Sequence, residues 1–123
     1  MAVMNPPLAP GQIVRCEVPF SDVEGRKTRF PVIVSSRAFN DSHAEVIVAY
    51  VTRTGNITRP HDYDVQISNR HPDFAGTGLT ESSTVRCGRL FTVDKRSVSD
   101  VLGQVPDDLF NDIIRLVRNC FAT

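Results

Sequence analysis

Residues 83–96 read STVRCGRLFTVDKR, which places Arg86 and Arg89 close together with Gly88 between them. A guanidinium is a planar fork that grips a phosphate through two hydrogen bonds and keeps its charge. Two such groups on a β-type segment raise the question of a phosphate-bearing ligand. The rest of the chain leans the same way, because 12 of its 14 basic residues are arginine and only Lys27 and Lys95 are lysine. A GC-rich genome gives the same bias, so it is a nudge and no more. The formal net charge is zero, so there is no global basic field to attract nucleic acid.

Metal chemistry has little to build on. Cys16, Cys87 and Cys120 form no CxxC pair and read as small buried hydrophobes of a reducing cytoplasm. His43, His61 and His71 stand in polar loop contexts and read as exposed; His61 beside Asp62 and Asp64 matches no ligand spacing. No cofactor is expected. No apolar run approaches the length of a membrane span, and the N-terminus lacks the features of a signal peptide.

The elements that must hold these residues are short. Residues 1–10, MAVMNPPLAP, read as a flexible Pro-rich leader, and residues 11–123 as one domain. "GQIVRCEVPF" is rich in β-branched residues and predicts a strand, although its two faces are not cleanly polar and apolar. "SDVEGRKTR" predicts a polar loop of about nine residues. "FPVIVSS" and "AEVIVAYVT" predict buried strands, the second closed by the turn residues "RTGN". "DYDVQIS" alternates and predicts a half-exposed edge strand, and "STVRC" and "RLFTV" give the last strand or strands.

The chain then changes period. In "VPDDLFNDIIRLVRNCF", Pro106 suits a first helical turn, and Asp107 and Asp108 suit the positive end of the helix dipole. Leu109, Ile113, Leu116, Val117 and Cys120 recur at helical spacing and leave Asp112, Arg115 and Arg118 for solvent. Five or six short strands followed by one amphipathic helix predict a mainly β fold, a small barrel with the helix packed against it.

The order of segments resembles the PemK/MazF family of bacterial toxins over most of the chain. The family opens with Gly-x-Ile/Leu-Val, here Gly11, Ile13 and Val14, and continues through a long loop into a Pro-Val-Leu-Val strand, here "FPVIVSSRAFN". Next comes a buried strand ending in threonine, here "VIVAYVT" with Thr52, and then "VVRCDQ" and "RTIDK"-like segments, here "TVRCGR" and "FTVDKR".

That resemblance implies an SH3-like barrel that dimerises and cuts single-stranded RNA without a metal. The 2′-hydroxyl loses its proton, attacks the adjacent phosphorus and expels the 5′-oxygen, leaving a 2′,3′-cyclic phosphate. The reaction needs a base, a proton donor and fixed positive charge on the phosphorane-like transition state. Thr52 matches the family's strand-end threonine, whose hydroxyl can bond a phosphate oxygen. The family's arginine immediately precedes the proline of the second strand; here that place is Phe30, and Arg29 stands one residue earlier. A one-residue slip reverses the face of a strand, so Arg29 serves only if the chain is bulged there.

Arg86 matches the arginine of the "RCDQ" branch and is assigned to transition-state charge, whereas Gly88 replaces the aspartate and Arg89 the glutamine. Glu24, in the loop where family members often carry a glutamate, is the first candidate for general base; a solvated loop acid is the alternative. Arg26, Lys27, Arg53, Thr54, Ser83 and Arg89 complete the expected RNA contacts. The implied partners are single-stranded RNA, a cognate antitoxin protein and a second copy in a homodimer, in the bacterial cytoplasm. The competing expectation is a non-catalytic barrel: a gyrase-trapping toxin, or a degenerate member that only binds antitoxin or RNA.

Overall fold

The structure is a computed structural model that describes residues 7–19 and 26–121. Seven strands, β1 (Gln12–Pro19), β2 (Arg26–Arg29), β3 (Val32–Ile33), β4 (Glu45–Arg53), β5 (Asp64–Ile67), β6 (Ser83–Asp94) and β7 (Val98–Gln104), join in one antiparallel sheet. They run in the order β2-β1-β3-β4-β6-β5, and β7 pairs with the remaining side of β1. Two helices, α1 (Arg37–Ser42) and α2 (Asp107–Asn119), complete the described elements. The sheet is bent like a barrel but not closed, and β5 is an edge strand, as its alternation predicts.

The bend explains why the apolar pattern of β1 and β4 is untidy. Two cores lie on opposite faces of the same strands. Ile13, Val32, Ala49, Val51, Val65, Ile67, Val85, Cys87 and Ile113 belong to one core, which lies under α2. Val14, Cys16, Val18, Ile33, Val46, Val48 and Val98 belong to the other. A strand apolar on both sides has no clean period of two. The predicted final helix forms as expected: Ile113 is fully buried, Leu109, Leu116 and Val117 pack on the first core, and Asp112, Arg115 and Arg118 stay exposed. Pro106 caps that helix rather than entering its first turn.

Five expectations need correction. Residues 26–29, read as loop, form β2 and pair with β1 from Pro19↔Arg26 to Cys16↔Arg29. β7 was not expected as a strand; its pairing with β1 shifts register between Ile13 and Val14 and again between Arg15 and Cys16, so its apolar residues lose a period of two. α1 was also unforeseen; Ser36 caps it, its hydroxyl accepting from Phe39 N at 3.1 Å. The leader is anchored from Leu8, whose side chain is buried in the second core and whose carbonyl accepts from Asn40 Nδ2 at 3.0 Å; residues 1–6 lie outside the described residues. Cys120 is exposed, whereas Cys16 and Cys87 are buried as expected.

The stretch from Ser83 to Asp94 is one strand with a large bulge. Arg86 pairs with Tyr50 and Leu90 with the adjacent Ala49, so β6 passes Cys87, Gly88 and Arg89 while β4 advances one residue. Cys87 turns into the core and donates its N–H to Tyr63 O at 3.0 Å, while Gly88 and Arg89 face outward. Gly88 has no positive φ. Glycine is truly required elsewhere: at Gly78, with φ +76, a Cβ would press on the Leu102 backbone at 2.6 Å, where the Phe74–Thr77 turn meets β7.

Candidate functional site

Where β2 and β4 end, a cleft of about 390 Å³ opens. It is lined by Thr28, Arg29 and Phe30, by Val51, Thr52 and Arg53 of β4, and by Leu79, Thr80, Glu81 and Ser83. Four residues singled out by sequence therefore meet in one place: Arg29, Thr52, Arg53 and Ser83. Phe30 lies 40% exposed at the rim.

Arg29 arrives without the bulge that seemed necessary. Cys16 pairs with Arg29 and Ile13 with Val32, so both strands advance three residues and the register is unbroken. Arg29 and Phe30 thus point to opposite faces, yet both border the cleft because the strand ends at it. A slipped sequence position is compatible with the same cleft.

The segment leading into β6 is tied to β4. Arg53 Nε meets Glu81 Oε2 at 2.9 Å. Ser83 Oγ donates to the Glu81 carbonyl at 3.0 Å, and Thr54 N donates to the Ser82 carbonyl at 3.0 Å. Glu81 was not foreseen from sequence, and no local signal marks it: "LTESS" reads as an ordinary polar loop.

The remaining expected residues lie elsewhere. Arg86 lies on the same face as Thr52, one diagonal away in the β4–β6 ladder through Tyr50↔Arg86 and Thr52↔Thr84, a separation of roughly 7–8 Å. It does not line the cleft; its Nε faces Asp64 Oδ1 at 3.7 Å across β5. Arg89 lies over the Tyr50 ring, 4.6 Å from the centroid. Both arginines therefore have partners within the chain. Thr54 shares a hydrogen bond with Thr84 Oγ1 at 2.9 Å, and Lys27 is exposed on β2. Glu24 lies outside the described residues, as does the side chain of Arg26.

Other titratable groups sort away from the cleft. Burial pushes the Cys87 thiol up to about 12 and raises that of Cys16, so neither favours its nucleophilic thiolate. His71, expected in the open, has only 17% of its side chain exposed and joins Asp108 at the start of α2, Nε2 to Oδ1 at 3.1 Å. Among the described residues no three His, Cys, Asp or Glu side chains gather as a metal centre needs. No helix among them is long and apolar enough to cross a membrane.

Comparison with known proteins assigns the family. The profile of a family described as a PemK-like, MazF-like toxin of type II toxin–antitoxin systems matches residues 9–121. The chain belongs to this family. Solved structures agree on the PemK/MazF fold. An endoribonuclease in complex with its cognate antitoxin, from a mycobacterial species, is 23% identical with a TM-score of 0.70, over 93% of this chain and 94% of that one. The MazF of Deinococcus radiodurans is 16% identical with a TM-score of 0.74, over 97% and 100%. The Mycobacterium tuberculosis toxin MazF-mt6 is 20% identical with a TM-score of 0.68, over 89% and 95%. No curated protein sequence matches.

Proposed function

We propose that this member of the PemK/MazF family is an endoribonuclease toxin that cuts single-stranded RNA to a 2′,3′-cyclic phosphate and so arrests translation and growth. The observation that carries this reading is the cleft in which Arg29 and Thr52 stand together, with Arg53 and Ser83 beside them. The Arg29 guanidinium supplies fixed charge to the pentavalent phosphorus, and the Thr52 hydroxyl donates to a non-bridging oxygen. Arg53 and Ser83 hold the flanking phosphates. Arg86, one diagonal from Thr52, extends that charge along the sheet, while Arg26, Lys27, Thr54 and Arg89 contact the strand farther from the cut. No metal is needed for this chemistry, because arginine carries the charge that a cation would otherwise supply.

The working unit is one barrel domain, residues 11–123, paired with a second copy in the bacterial cytoplasm and neutralised by a cognate antitoxin. The mycobacterial relative described as an endoribonuclease in complex with its cognate antitoxin, and the MazE–MazF structure from Deinococcus radiodurans, support that partnership. A non-catalytic binding barrel is the second reading. It draws on the pairing of Arg86 with Asp64 and on the missing carboxylate at Gly88.

The deciding experiment incubates purified protein with a mixed-sequence single-stranded RNA in chelator. Discrete cuts ending in cyclic phosphate, lost in Arg29→Ala and Thr52→Ala variants of intact fold, support the enzyme. Failure to cut any RNA favours the binding barrel.

A further inference from the structure

A cleft that deprotonates a 2′-hydroxyl needs a base within reach of the phosphate-binding groups. The familiar place for a carboxylate in the "RC-x-x" segment is empty of one, since Gly88 stands there. Asp64 has only 8% of its side chain exposed and accepts from His61 N at 2.9 Å, with Arg86 beside it. It is shielded from a substrate in the cleft.

One carboxylate among the described residues does line that cleft. Glu81 lines it together with Arg29 and Thr52, with 55% of its side chain exposed. Its position is fixed at both ends. Ser83 holds its backbone carbonyl, and Arg53 holds one carboxylate oxygen at 2.9 Å. The ion pair leaves the second carboxylate oxygen to accept a proton, and each carboxylate oxygen has two lone-pair sites. A surface ion pair of this kind contributes little to stability.

We propose that Glu81 is the general base of this toxin, with Arg53 its positioning residue; the inference rests on the endoribonuclease reading above. The 2′-oxygen gives its proton to the Glu81 carboxylate as the 2′-O–P bond forms. The P–O5′ bond breaks, and the departing 5′-oxygen takes a proton from water at the cleft mouth. Glu81 then returns its proton to solvent, and the 2′,3′-cyclic phosphate leaves. Arg53 holds the carboxylate in place in the cleft.

The test compares wild type, Glu81→Gln, Glu81→Asp and Arg53→Ala on one single-stranded RNA, with rates followed from acid to neutral pH. Glu81→Gln is near-isosteric on an exposed side chain, so the fold survives, which a thermal melt checks. Its expected effect is a loss of about 10²–10⁴-fold in kcat with KM little changed, together with disappearance of the acidic limb of the rate–pH profile. Glu81→Asp recovers part of the rate. Arg53→Ala lowers kcat, because the carboxylate is no longer held in place, and retains the acidic limb that Glu81→Gln loses. Three outcomes overturn the proposal while leaving the ribonuclease reading intact: a Glu81→Gln enzyme within threefold of wild type, one that changes only KM or cleavage sequence, or an unaltered pH profile. If wild type cuts no RNA, both readings fall together.

Discussion

Arg86 and Asp64 face each other across the β5–β6 pair, guanidinium Nε to carboxylate Oδ1 at 3.7 Å, with only 22% and 8% of their side chains exposed. A strand can carry an arginine in a half-buried place because the neighbouring edge strand supplies its counter-charge. Arg86→Ala therefore leaves a nearly buried carboxylate unpaired, and the expected cost is roughly 1–3 kcal/mol of folding stability. The double variant Arg86→Ala/Asp64→Ala regains part of it, since neither charge is then left alone. Chemical melts of the four proteins measure the coupling, and a double-variant loss equal to the sum of the two single losses would count against it. Any drop in RNA cleavage by Arg86→Ala has to be read after correction for the folded fraction.

Gly88 has room for a side chain. A Cβ built there meets only Cys120 Sγ at 3.6 Å, an ordinary contact, and its φ is not positive. Gly88→Asp is expected to fold with a stability change within about 1 kcal/mol of wild type. Because Gly88 lies outside the cleft of Arg29 and Thr52, its rate of RNA cutting should stay within threefold. A tenfold gain would show that the reacting phosphate lies nearer the β6 bulge than the cleft indicates. Melting and single-turnover cleavage answer both halves.

What the sequence made legible was whatever depends on local pattern. "AEVIVAYVT" gave β4 and "DYDVQIS" gave the edge strand β5, because Val65 and Ile67 are buried while Gln66 is exposed. The α2 face followed from helical spacing. What stayed hidden depends on pairing between distant segments. The two register shifts opposite β1 scramble the period of β7, and the β6 bulge is visible only against β4. The site divided in the same way. Thr52 and Arg29 were singled out by order of segments and line one cleft, and the β1 register past Arg29 carries no bulge. Glu81 was invisible because its meaning comes from Arg53, on another strand, and His71 because its partner Asp108 opens a distant helix.

The acid side of the stability profile has two named contributors. The Arg96 side chain, 2.9 Å from Asp94, holds the Asp94 carboxyl down to about 2, and the hydrogen bond from His71 lowers that of Asp108. A depressed folded value means that the unfolded chain binds protons first as pH falls. The stabilisation is thus complete above the ordinary value of 3.8 and is lost as pH drops from 3.8 toward about 2. The His71 ring has a defined tautomer: Nδ1 accepts from Asp73 N at 3.0 Å, so Nε2 carries the proton given to Asp108. Urea melts at pH 5, 4 and 3 should show stability falling across this window, with a shallower fall in Asp94→Asn and in Asp108→Asn. Identical slopes in all three proteins would contradict the assignment.

A buried polar knot ties the start of the described chain to the second core. Asn40, 1% exposed on α1, donates through Nδ2 to Leu8 O at 3.0 Å and to Ser35 O at 3.1 Å. Its Oδ1 accepts from Ser35 Oγ, which in turn accepts from Ile47 N at 3.0 Å on β4. One side chain thus satisfies two backbone carbonyls that no water replaces cheaply. Asn40→Ala leaves both without that donor and opens a small void, so a loss of roughly 1–3 kcal/mol is expected. The exposed Ser42, whose hydroxyl donates to Ala38 O at 2.8 Å on the same helix, is the control; Ser42→Ala should cost less than about 0.5 kcal/mol. The knot also holds Leu8 in the core, so Asn40→Ala should speed hydrogen exchange and protease cleavage near residues 8–12 more than elsewhere. Uniform loosening would mean that Asn40 supports the whole sheet rather than the anchored N-terminal segment.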